Sequence, residues 1–425
     1  MSRKVQLTLM ASAKMSDNKE NLAIRLPRKA RNFFGFTNSI VVVGKGEHRF
    51  GLEVKKAYKE DVQKLARKLA AGKIPEEEAL SAGFVTRSVL QKINRKEGQS
   101  VWISDSLEEI TIGADPEFGL LHHSDDRFVR GSSVLKKAGA FGSDGPAVEV
   151  RPAPSVDHIG MVGNIAKILQ NPPEAVAPYA WRGGATFTDP HRHYWFGGHI
   201  HLGRPAQINP AEAMDYCYNG IAFVLDHLLA FPLVRFDTPN PDFRRYGCDY
   251  GYGTAGTGDS GGSASSVRSH SDRFEYRVLS ALWLAHPTLA KIIVGATKAI
   301  TESVYATIGS KQFEYDWVGT TPFLKTFGIG SNTKTILDII NRSKAGNITK
   351  DHLTKWRSQI RDLERFDDYS EELNALIALV GADPTHVKKH LDLDLRQGWC
   401  EDKRFLRGMN NTKTRDALEA VAAKK

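Results

Sequence analysis

The sequence predicts an α+β protein, and three features carry that prediction. Short segments alternate strictly between polar and apolar residues, the period of a half-buried strand. Longer stretches place apolar residues at helical spacing. Gly, Pro and Asp clusters punctuate the two kinds of segment. At 425 residues, 41% hydrophobic and 25% charged, the chain is long enough for two or three globular domains. We place the boundaries at 1–106, a small basic β/α module; 107–308, an antiparallel sheet with backing helices; and 309–425, a mostly helical region.

The first hundred residues hold 21 Lys and Arg against 10 Asp and Glu, a balance of +11, whereas the whole chain is +9. The positive charge is therefore a property of this module. Strands are expected at 21–26, 39–43 and 49–54, with Gly44-Lys45-Gly46 as a hairpin turn, followed by a helix over 60–71 that Gly72 ends. Ile24-Arg25-Leu26-Pro27, then Phe34-Gly35-Phe36 and Val41-Val42-Val43, resemble small swapped-hairpin DNA-binding barrels. The module's positive charge makes nucleic acid or an acidic partner one expectation for it. The competing reading is a solvated lysine-rich surface.

Four segments carry the chemistry. Gly197-Gly198-His199-Ile200-His201-Leu202-Gly203 places two imidazoles two residues apart, on one face if extended, with Ile200 and Leu202 packing behind. Gly113-Ala114-Asp115-Pro116-Glu117-Phe118 does the same with two carboxylates, and Pro116 argues for a strand start. Asp144-Gly145-Pro146 turns into a strand with Glu149 and Arg151 on one side and Val148 and Val150 on the other. Arg273-Phe274-Glu275-Tyr276-Arg277 alternates Arg, Glu, Arg with Phe and Tyr. Singly, each suits a solvated polar face. Together, carboxylates, imidazoles and arginines on one sheet face make an expensive packing surface and a sensible cleft lining. Carboxylates suit Mg2+, imidazole tolerates Mn2+, and arginines grip phosphate, so the implied ligand is a nucleoside triphosphate.

In order and rough spacing these four motifs resemble the glutamine synthetase-like superfamily, and more narrowly the phage-type carboxylate-amine ligases, or amidoligases, over about residues 108–305. The resemblance implies a curved antiparallel sheet forming a half-open funnel, with ATP entering one end and the substrates the other. It implies Glu117, Glu149, His199 and Glu275 as ligands of Mg2+ or Mn2+, and Arg277 as the main phosphate contact. Arg151, Arg245 and His201 join Arg277 as cofactor-binding candidates, and Arg273, Asp115 and Asp144 join it as catalytic ones. Asp115 stands where glutamine synthetases usually have glutamate, and its arm is shorter. The implied reaction passes the ATP terminal phosphate to a carboxylate, and an amine then displaces phosphate to give an amide. The acid and amine, small molecules or peptides, are not legible, nor is self-assembly into oligomers.

Around the motifs we expect a strand at 127–131, a helix capped by Ser155 that stops before Pro172, and a hairpin-like return over 181–187 and 194–198. Asn209-Pro210-Ala211-Glu212 reads as the cap of a largely apolar helix running to about 229, with Asp226 and His227 as packing or helix-surface groups rather than ligands. The Gly/Ser-rich stretch from Arg244 to Ser266 suits either an inert surface loop or, the reading we favour, a mobile lid over a reactive intermediate, with Arg244 or Arg245 near the transferred phosphate or the substrate carboxylate. A long apolar helix is expected over 279–307, then helices at 333–343, 349–366 and 370–380 whose mixed charges suggest an exposed surface.

No Walker-type phosphate loop is present. Cys217, Cys248 and Cys400 form no Cys-x-x-Cys pair. We expect no membrane span and no signal peptide, hence a cytoplasmic protein, in the host cytoplasm if phage-encoded. Two rivals stay open. A metal-dependent amide hydrolase also uses His-x-His, although the usual arrangement puts that pair first in the chain. A non-catalytic, virion-associated nucleic-acid-binding protein would use the basic module alone.

Overall fold

A computed structural model describes the first 109 residues at 4–11, 23–26, 39–43, 49–56, 59–73, 82–85, 90 and 100–104. Beyond them it describes 110–188, 193–205, 218–237, 264, 266–270, 272–310, 321–330, 333–342, 345–384, 394–401 and 412–424. The chain divides into two compact units, residues 1–109 with 205–209, and residues 110–204 with 210–425. The helices beyond 309 are thus grouped with the sheet.

In the first unit six strands, β1 (Lys4–Ala11), β2 (Ala23–Leu26), β3 (Ser39–Val43), β4 (Arg49–Lys56), β5 (Ala82–Val85) and β6 (Ser100–Ser104), close a barrel in the order β1-β5-β2-β4-β3-β6. Pairs β1–β5 and β2–β4 are parallel, and the others are antiparallel. The β-branched run Ser39–Val43 supplies a strand, as its composition predicts. Helix α1 (Lys59–Ala70) ends where Gly72 takes a φ of 63°, the left-handed geometry that glycine accepts most easily. The expected turn at Gly44-Lys45-Gly46 lies outside the described residues.

The second unit is built on a curled antiparallel sheet. One part runs β10 (Phe141–Asp144), β11 (Ala147–Val150), β8 (Glu117–His122), β12 (Tyr179–Arg182), with β9 (Phe128–Val129) also on β8. The other runs β16 (Val267–Ser269), β17 (Arg273–Tyr276), β15 (Ile200–Gly203), β7 (Ile112–Ala114). β13 (Thr186–Thr188) and β14 (His193–Trp195) form a hairpin. The two parts meet at Pro116, which cannot donate a ladder bond and falls between β7 and β8. Backbone bonds from Asp115 N to His199 O (3.3 Å) and Glu117 N to Gly197 O (2.8 Å) carry the pairing across that break.

Behind the sheet lie α2 (His158–Leu169), α3 (Tyr218–Leu225) and α4 (Pro287–Ser310). α2 is capped by Asp157, whose carboxylate accepts from Gly160 N at 2.8 Å, rather than by Ser155. Ser155 is held instead in a β-bridge with Ile112. α3 continues through a π-helical turn, Asp226–Ala230, to Phe236. The cap proposed at 209–212 is outside the described residues. The segment Tyr218–Phe236 is long and apolar enough, by length and composition alone, to cross a bilayer, and 89% of its 18-residue apolar window is buried inside the fold. The helix expected from 279 begins at Pro287, preceded by a 3-10 segment, Ala281–Ala285.

α5 (Thr333–Asn341), α6 (Lys350–Arg361), α7 (Ser370–Gly381) and α8 (Thr412–Ala422) follow. α6 opens with a capping box between Thr349 and His352, and its stripe Trp356, Ile360 and then Leu363 is buried. The mixed charge of this region suggested exposure, yet Leu373, Ala375, Leu376, Leu379 and Val380 of α7 are also buried. Charge on one face of a helix does not stop the other from packing.

Candidate active site

β15 lies between β17 and β7, and this order brings three motifs together. His201 is paired with Glu275 on one side and Gly113 on the other. Ile200 and Leu202 are fully buried behind, as the alternation requires. Gly197 and Gly198 permit the close approach that the site needs. A Cβ on Gly197 would run into the His199 ring, and one on Gly198 into the Ser280 carbonyl and the Trp283 indole.

Both imidazoles converge on Asp115: His199 Nδ1 is 3.3 Å from Oδ1, and His201 Nε2 is 3.2 Å from Oδ2. His199 Nδ1 is also 3.3 Å from Glu275 Oε1. Asp115, His201 and Glu275 each offer an atom within 4.8 Å of the others, the spacing of a metal's ligands. Asp115 Oδ1, His201 Nε2 and Glu275 Oε1 are buried, and none makes a well-directed hydrogen bond. Such groups fit a divalent cation that accepts two carboxylate oxygens and an imidazole nitrogen, which suits Mn2+ and tolerates Mg2+.

A second acidic pair adjoins them. Glu117 and Glu149 sit directly opposite on β8 and β11, so their side chains share a face. Burial pushes Glu117 up to about 7, although His199 and the Gly197 N–H, which donates to Oε2 at 2.6 Å, pull the other way; Asp144 and Asp115 add to the rise. Asp115 goes in the opposite direction. Burial opposes its ionisation, but the imidazoles of His199 and His201 outweigh it and hold the carboxyl well below the usual range.

The arginines divide. Arg277 is almost fully buried, with Nε 3.0 Å from Glu275 Oε1. Arg151 is ion-paired to Glu149 and donates to Gly139 O at 3.1 Å. Arg273 turns to the exposed Asp272 at 3.2 Å. Asp144 is exposed at the end of β10. Arg245, Arg244 and most of the Gly/Ser-rich run lie outside the described residues.

Sequence reasoning missed Arg268, which β16 places opposite Glu275, with its guanidinium 3.1 Å from Oε2 and about half exposed. The signal that could have found it is the alternation of Val267 and Arg268, obscured by the adjoining Gly/Ser run. It read Asp226 as a packing or helix-surface group, and the residue is fully buried. In the structure its carboxylate accepts from Tyr276 OH at 2.7 Å, behind the strand that carries Glu275 and Arg277.

Residues 112–323 match the family model of the phage phiEco32-like COOH.NH2 ligases, type 2. This stretch belongs to the carboxylate-amine ligases. All four motifs and the whole of the site fall within it. Comparison with curated proteins found no match. Among solved structures, the crystal structure of the complex between the prokaryotic ubiquitin-like protein Pup and its ligase PafA is similar over 75% of this chain and 73% of that one, at 14% identity and a TM-score of 0.35.

Proposed function

We propose that the protein is an ATP-dependent carboxylate-amine ligase working through an acyl phosphate with divalent metal ions. The observation that carries this reading is the convergence of Asp115, from the break between β7 and β8, with His201 of β15 and Glu275 of β17, their ligand atoms within 4.8 Å of one another. These three would hold one Mg2+ or Mn2+, with His199 seated between the two carboxylates. Glu117 and Glu149 would hold a second ion. When bound, the metals supply positive charge against the triphosphate and the transferring phosphoryl group.

The chain's own residues do the rest. Arg277 and Arg268 flank Glu275 from the same and the neighbouring strand, where guanidinium groups can offset charge on the equatorial oxygens. A substrate carboxylate attacks the terminal phosphorus, ADP leaves, and the acyl phosphate forms. The amine then attacks the acyl carbon, inorganic phosphate departs, and one amine proton is lost to a base. The two substrates are a carboxylic acid and an amine, free or on a peptide.

The test is incubation with ATP, Mg2+ and pooled acids and amines, with ADP followed by mass-resolved chromatography. Hydroxylamine in place of the amine should trap the acyl phosphate as a hydroxamate. Cleavage of amides at equal rate with and without ATP would overturn the proposal in favour of a hydrolase.

A further inference from the structure

Glu275 and Arg277 are separated by Tyr276, which the alternation of β17 turns to the opposite face. The Tyr276 backbone is paired with Ile200 of β15 and Val267 of β16. Its ring therefore lies in the apolar layer behind the sheet, fully buried like Phe274 and Ile200. A ring in that layer packs without a hydroxyl. This one carries a hydroxyl, and it donates to Asp226 Oδ1 at 2.7 Å. Asp226 is fully buried as well, in a run whose neighbours Leu225, Leu228 and Leu229 are apolar and buried. Burying a carboxylate costs free energy that an apolar pair of similar volume would not incur. What an apolar pair lacks is direction, because a hydrogen bond fixes a distance and an angle where apolar contact lets a strand slide or tilt.

Asp226 is itself firmly held. It opens the π-helical turn Asp226–Ala230, and its carbonyl accepts from Phe231 N, five residues on. Such turns are rare and gather at functional places, because the extra residue displaces groups from the regular ladder. Two side chains brace this one: Trp356 Nε1 of α6 donates to Leu228 O at 2.8 Å, and His227 Nδ1 donates to Phe223 O at 2.8 Å. Directed bonds thus run from α6 through the π-helical turn to β17. At the far end of that line the tolerance is small. Glu275 Oε1 is 3.3 Å from His199 Nδ1 and 3.0 Å from Arg277 Nε, and its Oε2 is 3.1 Å from Arg268. A shift of β17 by about 1 Å would change all three contacts, and misplacement on that scale can cost about a hundredfold in rate.

We propose that Tyr276 and Asp226 are positioning residues for the candidate site: their hydrogen bond holds β17 at the height and tilt that turn Glu275 and Arg277 toward Asp115, His199 and His201. The inference rests on the ligase reading for its effect on turnover, and not for its effect on the geometry of the site. Two variants of the full-length protein test it. Tyr276→Phe removes the hydroxyl, and Tyr276→Phe with Asp226→Leu removes both polar groups and leaves an apolar pair. Thermal melting gives the stability of each, and 15N-histidine spectra of the metal-free proteins report the surroundings of the His199 and His201 rings. In both variants these resonances should move, kcat for ligation should fall about ten- to a hundredfold and Mn2+ should bind about tenfold more weakly, even where the double variant melts as high as wild type. A bond that serves stability alone predicts wild-type resonances and kcat in the double variant, and that result would overturn the proposal. Unmoved resonances in a folded Tyr276→Phe would overturn it too, whether or not the double variant folds. If the wild type neither ligates nor binds Mn2+, the ligase reading falls, while the resonances still decide whether the pair positions β17.

Discussion

Glu117 and Glu372 are both buried glutamates in the same compact unit, and their ionisation is displaced in opposite directions. Glu372, on α7, accepts from Lys424 Nζ at 2.7 Å and sits 2.9 Å from His158 Nε2; burial opposes its ionisation, but those partners hold it down at about 2. Glu117 has one backbone donor and faces Glu149, with Asp115 and Asp144 adding negative charge, and it is pushed up to about 7. The first carboxylate is neutralised by the fold itself. The second is placed among its like, an arrangement with little structural use unless a cation completes it. The same contrast separates the seam of α4, where Lys298 pairs with Glu302 one turn on and Tyr369 OH donates to Glu302 at 2.8 Å, from the site, where Asp115, His201 and Glu275 bring ligand atoms within 4.8 Å of one another.

The contrast breaks most visibly at Glu275. Glu275→Ala should lower ligation by about four orders of magnitude, since it removes a proposed metal ligand and the anchor of two arginines, while circular dichroism and thermal melting stay near wild type. A variant that ligates at a near-normal rate would return Glu275 to a structural role. The opposite pattern is expected in the seam. Lys298→Met strands the buried Glu302 and should cost about 3–5 kcal/mol in denaturant unfolding. Lys298→Met with Glu302→Leu, which removes both charges, should recover most of that loss, and failure to recover would show that the pair does more than neutralise itself.

Acid should act on Glu372 next. Its folded-state value, about 2, lies below the ordinary 4.5, so its contribution is fully present above about pH 4.5 and is lost as pH falls from there toward 2. The window is worth up to about 3 kcal/mol. Measured as stability against pH, the gap between wild type and Glu372→Gln should narrow steadily between pH 5 and pH 2. A constant gap would mean that His158 and Lys424 do not hold this carboxylate.

Much of the sheet was legible in the sequence because alternation reports directly on which face is buried. Ile200, Leu202, Phe274 and Tyr276 are all in the core, and His201, Glu275 and Asp115 emerge on the other face together. What alternation cannot report is which strand lies beside which. Arg268 opposite Glu275, and His201 rather than His199 in the tightest cluster, are consequences of register. The π-helical turn was invisible for a similar reason. A largely apolar run from Tyr218 onward looks the same whether or not one residue is displaced. The cap of α2 moved from Ser155 to Asp157 because a tertiary bridge to Ile112 claimed Ser155 first, an outcome local propensity does not contain.

The mildest test asks whether the cluster takes a cation at all. A Mn2+ ion held by the assembled site alone should by mass action raise stability by about 2.7 kcal/mol at a hundredfold excess over its dissociation constant, read as a melting shift of a few degrees. Asp115→Asn keeps the shape and one oxygen acceptor but removes the charge, and it should lose most of the shift. His158→Gln, in the seam, should melt lower yet keep the full Mn2+ increment, because its carboxylate partner is already neutralised by Lys424. If both variants lost the increment equally, the two glutamates would have to be explained alike, and the ionisation of Glu117 would no longer mark a cation site.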